Sequence, residues 1–172
     1  MAIETPFGAI GKGKRGISTG GWLLRGAAAG AAGTTVLNTV TYLDMAVRGR
    51  GTSSTPEQTV EALADKAHVG IPGEGETRDN RVSGLGPLTG IVAGVGVGAL
   101  SGLARALGFR PNPVVGGLAA AVAALIGANG PMAVLGISDP RTWSATDWAA
   151  DVVPHLAYGF ATHSTLAALD RA

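Results

Sequence analysis

SGLGPLTGIVAGVGVGALSGLA, residues 83–104, runs for 22 positions without one ionisable side chain. A helix needs roughly 20 mostly apolar residues to cross a hydrocarbon layer about 30 Å thick, so the length suits a membrane span. Working outward, residues 111–138 form a second uncharged run of 28, and residues 26–43 a third of 18. Residues 152–169 add 18 more, with His155, Tyr158 and His163 as the titratable side chains. Nearly every charge lies in the gaps between these runs. A soluble bundle would instead show polar residues recurring along every helix. The expected fold is all-α: an integral membrane bundle of four transmembrane helices at about 21–47, 84–106, 113–137 and 147–169.

Composition agrees. Charged residues make up 15% of the 172, against roughly 25% in an ordinary soluble domain. Twenty-eight glycines without a three-residue period exclude collagen, and a mean hydropathy of +0.29 excludes a disordered chain. The net charge of +1 gives no argument for nucleic acid, and the absence of cysteine removes disulfides, thiolate metal sites and thiol catalysis.

Between the spans the signals are local. Residues 1–20, with Lys12, Lys14 and Arg15 among glycines, read as a flexible basic tail, too polar for a cleavable signal sequence. In the polar loop 48–82, Thr55-Pro56-Glu57-Gln58 reads as a capping box with Thr55 as N-cap. It opens a short amphipathic helix that ends near Gly70 and presents Val60, Leu63, Ala64 and Ala67 on one face. Ile71–Glu76 reads as a loop, and Ser144-x-x-Asp147 caps the last helix. Asn129-Gly130-Pro131 predicts a kink in the third span, with Asn129 placed to satisfy a freed backbone group. Trp22 marks one membrane face, and Trp143 and Trp148 the other.

Four spans put both termini on one side. Lys12, Lys14, Arg15, Arg25, Arg105, Arg110 and Arg171 share that side; Arg48, Arg50, Lys66, Arg78, Arg81 and Arg141 lie opposite. Discounting Lys66, far from any span, favours a cytoplasmic N-terminus in the inner (plasma) membrane.

The most regular motif is Gly86, Gly90, Gly94, Gly98 and Gly102, five glycines at intervals of four, with Gly26 and Gly30 as a shorter counterpart in the first span. Such stripes let helix backbones approach closely in lipid. They serve either self-association or packing within the chain. Two nucleotide-binding look-alikes fail. Gly8-x4-Gly13-Lys14 has Arg15 where a hydroxyl must hold magnesium, and Gly94–Ala99 lies inside an uncharged run with no strand before it.

On the last span, Asp147, Asp151, His155, Gly159 and His163 fall on one face. Span parity puts Asp44 at a similar depth, so Asp44, Asp151, His155 and His163 are the candidates for proton or cation handling. A metal held by His155, His163 and a carboxylate is a second possibility. The structural alternative has Asp147 on the helix dipole, Asp44 paired with Arg48, and the histidines hydrogen-bonded to neighbours.

The strings GAAAGAAGTTVLNTVTYLDMAVRGR (26–50), SSTPEQTVEALADKA (53–67) and DPRTWSATDWAADVVPHLAYG (139–159) resemble a group of small actinobacterial polytopic membrane proteins. More distantly, the chain is similar to YagU-like bacterial inner-membrane proteins. The resemblance covers residues 21–169 and implies a multi-pass inner-membrane protein with a suggested link to acid tolerance; it brings no catalytic residue. Together these readings predict a non-enzymatic membrane protein without cofactor. Its partners would be the lipid bilayer and protein, either a second copy or a larger complex; the alternative is a proton or cation pathway.

Overall fold

A computed structural model describes residues 17–171, and among them helices are the only regular structure. Helix α1 spans Thr19–Arg48, α2 Thr55–Lys66, α3 Gly75–Ala106, α4 Pro113–Val134 and α5 Ala145–Arg171, with a single 3₁₀ turn at Pro140–Thr142. The basic tail lies almost wholly outside the described residues.

The helix ends follow local chemistry. Ser18 opens α1 by accepting from the Gly21 N–H at 3.1 Å, and α1 closes at Gly49, whose φ of 63° suits a residue without Cβ. Asn112 accepts from Val115 N–H at 2.9 Å and Pro113 fills the first position of α4. The expected box at α5 is present: Asp147 N–H donates to Ser144 Oγ at 3.2 Å and Ser144 N–H to Asp147 Oδ2 at 3.0 Å.

Several boundaries differ from expectation. The α2 N-cap is Ser54, not Thr55, and Gln58 Nε2 donates to Ser54 Oγ at 2.9 Å, so the polar pair is shifted by one residue. Helix α2 ends at Lys66 rather than near Gly70, because His68 turns left-handed at φ 55°. Helix α3 begins at Gly75, well before the expected residue 84. Its charged first turns pack on α2, where Arg78 Nη1 meets Glu61 Oε1 at 2.7 Å. Helix α4 stops at Val134, so Pro131 lies in its last turn rather than bending a longer helix.

Helix α1 runs along both α3 and α5, α4 packs on α5 and also touches α3, and the backbones of α3 and α5 stay apart while their side chains meet. Glycine explains the α1–α3 contact. A Cβ on Gly98 would overlap the Gly26 carbonyl and the Gly30 backbone, and one on Gly102 would overlap the Trp22 carbonyl. A Cβ on Gly30 would come within 2.5 Å of the Gly94 carbonyl. The helices therefore touch backbone to backbone, the arrangement by which dispersion holds helices together where no hydrophobic drive exists. The stripe is not uniform: Gly86 lies against Pro56 and Glu57 of α2, while Gly90 has nothing within 4 Å. Gly90 is thus no part of the packing within the chain. A second seam joins α4 and α5, where Gly159 faces the Gly117 carbonyl and Ala121, and Gly116 lies under the His163 ring.

Trp22, Tyr158 and Leu166 are the large residues buried with the small ones in the bundle core, whereas Leu24, Val92, Leu100 and Ile126 lie more than 60% exposed. Two helices, α3 and α4, are long and apolar enough to cross a membrane, each at a mean hydropathy of 1.6. Helices α1 and α5 have the length, 30 and 27 residues, but their threonines, aspartates and histidines dilute the apolar character.

Gly98→Leu is expected to cost on the order of 3 kcal/mol or more by overpacking the α1–α3 seam. Gly96→Leu, at a position with open space, is expected to leave the melting temperature within about 2 °C of the parent. Equal thermal stability of the two variants would contradict this packing.

Candidate polar sites in the bundle

Four polar clusters occur along the bundle, and the candidate residues divide among them. Asp44, at the end of α1, accepts from Arg48 Nε at 2.7 Å and Nη2 at 2.6 Å, and from Arg50 Nε at 2.6 Å. Its carboxylate is thus occupied by two guanidiniums, and it does not join Asp151 and His155. It lines a groove of about 440 Å³ with Arg48, Ala149, Val153 and Pro154, which brings the end of α1 beside the start of α5, as span parity implies.

Asp151 and His155 form the second cluster with a partner from α4. Asn129 Nδ2 donates to Asp151 Oδ2 at 2.7 Å, while His155 Nδ1 lies 2.7 Å from the Asp151 carbonyl oxygen and 3.4 Å from its carboxylate Oδ1. His155 is buried. The Asn129 Oδ1 is buried too and has no hydrogen-bond partner. An unsatisfied acceptor beside a carboxylate and an imidazole makes this the chemically least settled point of the interior. Asn129 therefore does not serve the freed backbone group expected of it; it bridges α4 to α5.

The third cluster is neutral. Tyr158, fully buried, donates its hydroxyl to the Gly94 carbonyl at 2.6 Å, and Thr34 Oγ1 donates to the Gly30 carbonyl at 2.9 Å. Thr162, also fully buried, packs against Gly33 with its Oγ1 unpartnered. His163, one residue further, is buried over Gly116. His155 and His163 do not converge, and among the described residues no three His, Cys, Asp or Glu side chains gather as a metal would require.

The fourth cluster lies at the opposite end, where α1 and α4 begin and α3 and α5 finish. The buried Arg105 donates to Asp170 Oδ2 at 2.6 Å, and Arg110 Nε reaches the same oxygen at 3.1 Å. Arg25 Nη1 donates to the Leu169 carbonyl at 2.5 Å. Both Arg25 and Arg110 lie over the Trp22 ring, at 5.7 and 5.5 Å from its centroid. Burial alone would raise the Asp170 carboxyl, but hydrogen bonds from Arg110 and Arg105, with their charges, outweigh it and hold the group below its ordinary value of 3.8. Sequence reasoning did not pair these groups, although span parity places Asp170 at the end that holds Arg105 and Arg110. The Asn129–Asp151 and Tyr158–Gly94 bonds carry no comparable signal, because they depend on helix rotation.

A carboxyl with a depressed folded value stabilises fully above its unfolded value and loses that contribution as pH falls through the folded one. Asp170→Asn is therefore expected to lower the melting temperature by about 5 °C at pH 7. The gap to the parent should close as pH drops below 3.8. A gap that stays constant with pH would mean that Asp170 contributes shape rather than charge. Comparison of the chain with family models, with curated proteins and with solved structures gives no match.

Proposed function

We propose that the chain is a small non-enzymatic membrane protein whose four long helices, α1, α3, α4 and α5, all lie in lipid, and that it works by assembling with protein partners. The supporting observation is how polar and apolar side chains are distributed. Large aliphatic side chains of α3 and α4 point outward, as do Leu24 of α1 and Val153 of α5. Within α1, the hydroxyls of Thr34, Thr35 and Thr39 donate to the carbonyls four residues earlier at 2.9, 3.0 and 2.8 Å, so they need no water. Within α5, His155, Tyr158, Thr162 and His163 are buried. These polar groups of the two less apolar helices are thus hidden or satisfied within the bundle.

Assembly is favoured by what the chain leaves unused. The 18-residue apolar windows of α3 and α4 are only 17% and 28% buried. Gly90 of α3 is exposed with open space beside it, which leaves α3 a place for close approach by another helix. The partner in this reading is a second copy, or a helix of a larger complex that uses the same surface, in a multi-pass inner-membrane protein with its N-terminus in the cytoplasm.

A second reading is a proton or cation pathway, favoured by the buried, unpartnered Asn129 Oδ1 beside Asp151 and His155. Asp44 and His163 lie outside that cluster, which shortens any relay to the Asn129–Asp151–His155 group.

The untagged chain is expected to sediment with membranes after ultracentrifugation, and Gly90→Leu to reduce the cross-linked oligomer without lowering the melting temperature. A lone monomer in mild detergent, unaffected by Gly90→Leu, would end the assembly reading. For the pathway, Asp151→Asn is expected to abolish pH-dependent flux into liposomes; flux of the unmutated chain equal to empty liposomes would exclude it.

A further inference from the structure

The arginines around Trp22 outnumber their carboxylate. At this end of the bundle Arg25, Arg105, Arg110 and Arg171 face one acid, Asp170, among the described residues. Residues 44–82 and 135–151, which form the other end, carry ten acidic and six basic side chains. Helix dipoles do not account for the contrast, since two helices begin and two finish at each end, and their terminal charges cancel. The surplus belongs to side chains.

Structural bonds absorb part of it. Arg105 and Asp170, at 8% and 18% side-chain exposure, form the tight pair at 2.6 Å. Arg110 holds the same carboxylate with Nε at 3.1 Å and Nη2 at 3.5 Å and donates Nη1 to the Arg105 carbonyl at 3.5 Å, with its side chain half exposed. Arg25 spends one N–H on a neutral carbonyl, that of Leu169, so its charge has no carboxylate opposite it among the described residues. Arg25 and Arg110 thus lie over one indole, each with N–H groups to spare, while Arg105 and Arg110 share a single carboxylate. Guanidinium forks fit phosphate oxygens in pairs.

We propose that this end of the bundle binds the phosphate-bearing headgroup of an anionic phospholipid, held by Arg25 and Arg110 beside Trp22. The inference rests on the membrane reading above, and it places the site at the cytoplasmic leaflet, where anionic lipid attracts basic groups. The buried Trp22 ring holds both guanidiniums at one end of the bundle, and Asp170 anchors Arg110 there. The lipid neutralises charge that no carboxylate among the described residues offsets, and in doing so ties the starts of α1 and α4 to the finish of α5.

The test uses the full chain purified in a mild non-ionic detergent, with phosphatidylglycerol, phosphatidylcholine and inorganic phosphate as probes. Bound lipid is counted by native mass spectrometry, and the melting temperature is followed alongside. Phosphatidylglycerol is expected to remain bound and raise the melting temperature, and phosphatidylcholine and inorganic phosphate to do neither. Arg25→Gln and Arg110→Gln should each weaken phosphatidylglycerol retention about fivefold. Arg141→Gln, at the other end, should leave it unchanged. Arg110→Lys, which keeps the charge and loses the fork, should retain an intermediate amount and guards against misfolding of the glutamine variants. Equal retention of phosphatidylglycerol and phosphatidylcholine, or retention indifferent to Arg25 and Arg110, overturns the site; binding of inorganic phosphate in place of lipid overturns the lipid source. A chain that stays dissolved without detergent defeats the membrane reading itself. A detergent-dependent chain lacking lipid selectivity defeats the headgroup site alone.

Discussion

The structure depends on bare backbone meeting bare backbone between α1 and α3. Gly26 and Gly30 on one side, and Gly94, Gly98 and Gly102 on the other, leave no volume for a single added methyl group. Once these two helices are fixed, α1 presents Gly33 to Tyr158 and Thr162, and α3 presents the Gly94 carbonyl to the Tyr158 hydroxyl. The position of α5 follows from that contact, and α4 then closes on α5 through Gly116, Gly117 and Gly159. Small residues are therefore the framework, with Tyr158 as the large side chain that joins three helices.

Polarity is arranged on the same principle. Every hydroxyl of α1 named above is satisfied within its own helix, while the imidazoles and the phenol of α5 are turned toward neighbours. Charge collects at the two ends and is locally paired there: Asp44 with Arg48 and Arg50, Glu61 with Arg78, Asp170 with Arg105 and Arg110. Near the start of α5, the Asn129–Asp151–His155 group leaves the buried Asn129 Oδ1 without a partner beside a carboxylate and an imidazole. It stands out by its incompleteness rather than by the number of its residues.

The helices and their order were readable from where charges stop and resume, since a long uncharged run constrains length without reference to any neighbour. The Ser144–Asp147 cap and the Asp44–Arg48 pair were readable for the same reason, each being a matter of residues three or four apart. What the sequence concealed was rotation. Five glycines at one spacing look equivalent, yet Gly86 serves α2, Gly94, Gly98 and Gly102 serve α1, and Gly90 serves neither. Asp151 could have met Asp44 by depth; it meets Asn129 because α5 turns that face toward α4. The early start of α3 was hidden by Pro72, Gly73 and Gly75, which suggest a longer loop than the one that forms.

The α1–α3 seam also has a bearing on biosynthesis. The ribosome finishes α1 on the order of 50 residues before it reaches Gly98, several seconds at typical rates of elongation. Throughout that interval a helix rich in threonine, with an asparagine at position 38, has no matching glycine surface to lean on. In the membrane reading proposed above, the insertion machinery would shelter the first segment until the glycine surface of α3 arrives.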